Sequence, residues 1–425
     1  MKILLANYRY FVSGGPERYM FNVKAGLEQR GHEIIPFSIH YSKNEPTPYS
    51  RYFVQPLAGP DAIRFDEHAW SLRSFLKTVE RSFYSPEVAQ AVGHLVDDAK
   101  PDVAYILHFL RKLSPSLLVG IKKRGIPIVV RISDFLLMCP AIHLLRDGKP
   151  CELCLRGDLK PSVKYRCVKG SLGASLVSYL SMHFHRWRGY FDLIDRFVIT
   201  NEFTLSKMIE AGWPREKLVH IPTFVAPRFF DTPAVVGSAP PYILYVGHLE
   251  PHKGIETLLR AYSKLKNPPK LILAASMDTA FAAEYRTLSK DLGVAANVDF
   301  RGFVAAEDLA ALYRGALFTV LPSICYENMP NAVIESMACG TPVLGSGHGS
   351  VGALIEDGRT GRIFRPGDVD DLSAKMANMI DDPTWLKAVG QRAREKAEQC
   401  YKRETHLELL LNTLSSVQNR YTLKM

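Results

Sequence analysis

Two series of short apolar runs, parted by a proline-rich break, constrain this chain more than any other feature. The first series falls at residues 3–6, 32–37, 103–107, 126–132, 197–200 and 219–221. The break spans residues 226–241 and holds Pro227, Pro233, Gly237, Ser238, Pro240 and Pro241, a linker composition. The second series follows at 242–247, 271–275, 298–303, 318–322 and 342–345. Helical stretches separate the runs, and such alternation builds parallel sheets with right-handed crossovers. The opening unit is the clearest: strand 3–6, a loop from Tyr8 to Pro16, a helix over 17–30, Gly31 as its C-terminal cap, and a second strand. Two doubly wound α/β units facing one another across a cleft are therefore expected, with ligands held beyond the carboxyl ends of the strands.

The 425 residues suit two or three domains on a prior of about 150 residues each. No run of about 18 apolar residues occurs, so no membrane span is expected. Met1 to Ala6 turns polar too quickly for a signal peptide and reads as a first strand. A cytoplasmic protein with reduced thiols follows as the expectation. The formal net charge of +10 calls for an anionic partner. Zinc-finger, ribonucleoprotein and recognition-helix signatures are missing, so nucleic acid is not expected. An anionic membrane surface or a phosphorylated substrate fits better.

The densest stretch runs from Cys325 to Val343. Pro330 suits a first helical position, where its missing N–H has no partner to lose. The N–H groups after it form a positive helix end that seats a phosphate. Glu335 lies one turn beyond Asn331 on the same face. A carboxylate there accepts hydrogen bonds from a ribose diol, so one segment holds both ends of a nucleoside diphosphate. Glu327 and Glu335 form a Glu-x7-Glu pair, followed by Gly340-Thr341-Pro342. This pattern resembles the retaining glycosyltransferases of family 4, which have the GT-B fold of two Rossmann-like domains. The resemblance covers nearly the whole chain. It implies an acceptor-side domain at 1–225, a linker at 226–241, a nucleotide-sugar domain at 242–405, and a last helix at 406–425 returning to the first domain.

Further motifs support the resemblance. Gly247-His248-Leu249-Glu250-Pro251-His252-Lys253-Gly254 follows a strand, where the family usually reads Gly-Arg-…-Lys-Gly. Lys253 matches and is expected to face the diphosphate. His248 stands where the family has arginine, and it lacks a fixed, permanently charged fork. Gly14 and Gly15, followed by Glu17 and Arg18, match the loop that reaches the donor across the cleft, and glycine lets backbone approach a ligand closely. Ser133-Asp134 stands where many relatives have His-Asp; Asp134 becomes a candidate sugar contact, and His108 a candidate substitute for the missing histidine. The resemblance further implies Glu327 beside the donor sugar, Lys253 and the helix start at Asn331 on the diphosphate, Glu335 on the ribose, and the peptide at Val304 near the base. Catalysis by front-face substitution would need positioning and electrostatics, not a protein nucleophile or a catalytic metal.

Two further features stand in and after an insertion at about 139–170. Cys139, Cys151, Cys154 and Cys167 include a C-x-x-C pair, which suits one structural zinc ion or a cluster of reduced thiols. From Lys160 to Phe191, basic residues accompany Leu172, Leu176, Tyr179, His183, Trp187 and Phe191 at helical spacing, as in an interfacial helix on anionic lipid. The expected activity is hexosyl transfer from a nucleoside-diphosphate sugar to an acceptor hydroxyl. A lipid-linked or polysaccharide glycan of the cell envelope is the expected acceptor, met at the inner face of the cytoplasmic membrane. The alternatives are a nucleotide-sugar-binding protein without turnover and a sugar-nucleotide epimerase.

Overall fold

A computed structural model describes residues 1–57, 72–231, 240–277 and 280–422. Two parallel six-stranded sheets dominate it. The first comprises β1 (Lys2–Asn7), β2 (Glu33–Phe37), β3 (Val103–His108), β4 (Ile128–Arg131), β7 (Arg196–Ile199) and β8 (Leu218–His220); a small hairpin, β5 (Leu145–Arg146) and β6 (Lys149–Pro150), lies in the insertion. The second comprises β9 (Tyr242–Val246), β10 (Lys270–Ala274), β11 (Val298–Phe300), β12 (Ala316–Leu321), β13 (Val343–Ser346) and β14 (Gly361–Phe364). Their orders are β2-β1-β3-β4-β7-β8 and β11-β10-β9-β12-β13-β14. Strand β1 lies between β2 and β3, and β9 between β10 and β12, so each sheet reverses winding direction beside its first strand. Such a switch point opens a crevice at the carboxyl ends of the strands.

Alternation within the strands explains the layers. Ile3 and Leu5 point into one apolar cluster and Leu4 and Ala6 into another, as the period-two pleat dictates. Tyr245 and Leu244 part in the same way in the second sheet. Both faces of each sheet are thus buried, which is why these strands read as continuous apolar runs.

Several boundaries differ from the sequence reading. The first helix runs Gly15–Glu28, beginning two residues early because Gly14 caps it. Gly31, at φ 80°, ends that turn, and the next N–H, of His32, bonds back to Leu27. The linker carries a short helix, Arg228–Asp231, and its Pro233, Gly237 and Ser238 lie outside the described residues. β14 escaped the sequence reading because Gly361–Phe364 has only two apolar residues. The basic tract forms two helices, Lys160–Lys164 and Leu172–Trp187. Its Phe191 lies beyond the second helix and is buried, not on the exposed face.

The last helix, Arg403–Thr422, packs Leu407, Leu410, Leu414 and Val417 against Tyr19, Met20, Val23 and Leu27 of the first half. Contact is close enough that a Cβ on Gly26 would lie 2.4 Å from Leu407. Where the chain crosses back, Val225 N–H donates to the Tyr401 carbonyl at 2.9 Å, so the outgoing and returning segments are bonded side by side.

Candidate active site

The loops after β9 and β12, on either side of the second sheet's switch point, supply the central pair. Lys253 Nζ donates to both oxygens of Glu327, at 2.7 and 2.9 Å. Ser323 Oγ donates to Glu327 Oε1 at 2.6 Å. Both partners are largely buried. Burial disfavours both charges, yet each ion outweighs it in the other: Glu327 is held below the usual carboxylate range and Lys253 above the usual ammonium range. The pair is therefore ionic at neutral pH.

Gly254 fixes the lysine loop. It takes φ 73°, and a Cβ there would lie 1.9 Å from the Pro322 carbonyl oxygen. No side chain fits between the two loops at this point. Gly254→Ala is expected to lower stability by about 2 kcal/mol or more, read by urea unfolding, and to loosen the Lys253–Glu327 pair with it.

The helix Asn331–Ala338 begins at the mouth of the crevice. Pro330 is its N-cap, with ψ 91°, and not its first helical residue as the sequence reading had it. A proline cap offers no side-chain acceptor, so the first-turn N–H groups are not capped by a side chain. Asn331 and Glu335 line one cavity of about 100 Å³ together with Gly15, Arg18, Tyr19 and Arg131 from the first half. A Cβ on Gly15 would lie 2.8 Å from Asn331 Nδ2, so the glycine loop does reach the opposite lobe. Burial raises the Glu335 carboxyl, opposed by Arg18 across the cavity and by the Tyr313 hydroxyl, which donates at 3.2 Å.

The other sequence candidates separate. Asp134 lines a neighbouring cavity with His108, Arg111 and Ser133, and its carboxylate caps the Leu136 N–H at 2.8 Å. His108 is held by Asn7 Oδ1 at 3.2 Å, and burial lowers its pKa. Gly247 packs against the Tyr245 ring. His248 is exposed, and its carbonyl accepts from the Tyr245 hydroxyl at 2.7 Å. Val304 lines a third cavity with Tyr242, Arg301 and Phe303.

Cys139, Cys151, Cys154 and Cys167 line one small apolar cavity and form no disulfide. Burial raises the thiols of Cys139, Cys154 (to about 12) and Cys167. Among the described residues no group of three or more His, Cys, Asp or Glu side chains is placed to hold a metal ion.

Three contributors were not assigned roles from sequence. Arg131 ends β4, stacks on Tyr19 at 4.0 Å, donates to Ser133 Oγ at 2.7 Å, and lines both cleft cavities. A lone cation closing an apolar strand was the available signal. Arg18 faces Glu335. Asn328 joins the lobes: Nδ2 donates to the Ile132 carbonyl at 3.1 Å, Oδ1 accepts from Thr204 Oγ1 at 2.8 Å, and its own carbonyl accepts from Asn201.

The chain is similar to known proteins over most of its length. Residues 232–396 match the family described as glycosyl transferases group 1. An MMP alpha-(1->4)-mannosyltransferase of Mycolicibacterium hassiacum is 30% identical over 423 residues, covering 94% of each chain. A GDP-mannose-dependent alpha-(1-6)-phosphatidylinositol monomannoside mannosyltransferase of Mycolicibacterium smegmatis is 26% identical over 238 residues, 52% of this chain and 62% of that one. A sucrose-phosphate synthase structure from Thermosynechococcus elongatus superposes with a TM-score of 0.74 at 19% identity, covering 98% of both chains. Anabaena HepE, solved with UDP and glucose, gives 0.65 at 18% identity, covering 98% of this chain and 100% of that one. Two α/β lobes of this kind define the GT-B fold. The chain belongs to the group 1 glycosyl transferases and is a glycosyltransferase.

Proposed function

We propose that this glycosyltransferase moves a hexosyl group, with retention of anomeric configuration, from a nucleoside-diphosphate sugar to a glycan hydroxyl. The carrying observation is the shared cavity in which Gly15 and Arg18 of one lobe face Asn331 and Glu335 of the other. The helix tip at Asn331 and the Lys253 ammonium suit the pyrophosphate, and Glu335 the ribose. Glu327 holds Lys253 charged and lies beside the transferred sugar, with Asp134 and His108 on its other side. Charge that develops on the departing diphosphate is met by Lys253 and the helix tip. Mannosyl transfer named for the relatives above makes GDP-mannose the first donor to try. The test is a panel of nucleoside-diphosphate sugars, scored for release of nucleoside diphosphate with and without glycan acceptors. Calorimetric binding with no release from any donor would instead support a binding protein.

We further propose a lipid-linked acceptor met at an anionic membrane surface. No helix among the described residues is long and apolar enough to cross a membrane. On the helix Leu172–Trp187, however, Leu172, Leu176, Leu180 and Trp187 are 53, 43, 46 and 77% exposed. The neighbouring helix Leu72–Phe83 packs against it and adds exposed Phe75 and Leu76. Exposed Lys160, Lys164, Arg166, Lys169 and Arg188 lie in the same stretch of chain. An apolar stripe accompanied by cations suits a lipid interface. Co-sedimentation with phosphatidylglycerol vesicles is expected, weakening as salt rises, and lost in Leu176→Asp/Leu180→Asp. Equal recovery with neutral and anionic vesicles would refute it.

A further inference from the structure

His143 belongs to the cysteine-containing insertion of the first lobe, yet its ring lies on the second. It stacks on His252 with centroids 4.6 Å apart and planes 29° from parallel. His252 immediately precedes Lys253, in the turn Pro251–Lys253. That turn is otherwise tied by the Ile324 N–H, which donates to the His252 carbonyl at 3.0 Å, and by Glu250, whose carboxylate is 3.3 Å from His252 Nδ1.

The backbone holding His143 is unusual. Ile142 and Leu144, on either side, take φ 65° and 47°. L-residues seldom enter this left-handed region, and for β-branched isoleucine it is a true outlier. Such conformations persist only where the surroundings over-determine them, and they gather at functional sites. Here the surroundings do so. Ile142 N–H donates to the Cys139 carbonyl at 2.9 Å, and Cys151 N–H to the Leu144 carbonyl at 2.7 Å. Arg111 donates to the Pro140 carbonyl, and the Leu144 side chain is fully buried. Residue 143 is thus presented by a clamped loop. Its ring feels the charges of Lys253, Glu250, Glu327 and Asp134, groups drawn from both lobes.

We propose that His143 is a positioning residue for sugar transfer: by stacking on His252 it fixes the Pro251–Lys253 turn, and with it the Lys253 ammonium, against the donor diphosphate. This rests on the reading of the cleft as a nucleoside-diphosphate-sugar site. The insertion then serves as a rigid arm that lets one lobe set the geometry of the other. Because Lys253 acts on charge that grows during transfer, loss of the stack should lower kcat more than it raises the donor KM.

The test compares His143→Ala and His143→Phe in the full chain, with thermal midpoints confirming that both fold. His143→Ala is expected to lower kcat by about tenfold or more, and His143→Phe, which keeps a ring, to stay within about threefold of the parent. A kcat for His143→Ala within about threefold of the parent overturns the proposal. So does a loss confined to KM, or a phenylalanine variant as impaired as the alanine one. Histidine-labelled protein without donor provides a second readout. Burial, then Lys253 and His143, hold the His252 pKa down to about 4 against Glu250 and Glu327, so removing the His143 ring should move its NMR titration up toward the ordinary histidine range. An unmoved titration overturns the stack itself. A parent chain that turns over no nucleotide sugar would instead sink the functional reading, while the titration still decides the stack.

Discussion

Replacing Lys253 by methionine should lower kcat/KM for the nucleotide-sugar donor by about a thousandfold. The magnitude is that of removing a preorganised charge aimed at a developing anion in a water-poor site. The variant has a second effect, because Glu327 is left buried without its cation. Breaking one side of a buried ion pair costs about 3–5 kcal/mol. The double variant Lys253→Met/Glu327→Gln removes the stranded charge. It should regain most of the lost stability, measured by urea unfolding, without regaining activity. Its rate loss should also be smaller than the product of the two single losses, since the pair acts as one unit. A fall of less than about tenfold for Lys253→Met would remove Lys253 from the chemistry.

Acidification should loosen the return of the last helix. His406 Nδ1 lies 2.6 Å from the Pro222 carbonyl oxygen, which can only accept. The proton therefore sits on Nδ1, and Nε2 accepts from the Tyr19 hydroxyl at 2.8 Å. Burial lowers the pKa of this histidine to about 4. The folded state thus favours the neutral ring, whereas the unfolded chain takes up a proton near the ordinary value of about 6.5. Stability from this group is complete above that value and is lost as pH falls toward 4. Between pH 7 and 5 the loss is about 2 kcal/mol from His406 alone. Buried His185, also lowered to about 4, acts in the same direction. Thermal midpoints of the parent should therefore drop between pH 7 and 5, and the drop should shrink in His406→Gln. An unchanged pH dependence in that variant would contradict the assignment of this acid loss to His406. Tyr19 lines the cavity proposed to hold the donor, so on that proposal the same acidification should weaken donor binding.

Much of this molecule was legible from sequence because its information is local. Strands buried on both faces read as apolar runs, and Gly31, Gly254 and Pro330 punctuate helices and turns by their backbone chemistry. The pairing of Lys253 with Glu327 was less direct. The residues lie far apart in sequence; the resemblance placed both in one cleft, the lysine on the diphosphate and the glutamate beside the sugar, and did not foresee their ion pair. What escaped was set by tertiary packing. β14 has too few apolar residues to announce itself. Phe191 satisfied helical spacing beyond the point where its helix ends. Arg131, Asn328 and His143 matter through what they meet across the cleft, and no periodicity encodes that. Val304 and His248 were placed by the resemblance; Val304 lines a cavity with Tyr242, Arg301 and Phe303, and His248 is exposed.

The bond between Val225 and Tyr401 has a mechanical consequence. The two lobes are joined by two segments of chain bonded together at one spot, not by a single tether. A double strap resists twisting and sliding but permits swinging about the line through it. Swinging open and shut is the motion such a joint favours, and in the arrangement seen here Gly15 lies against Asn331.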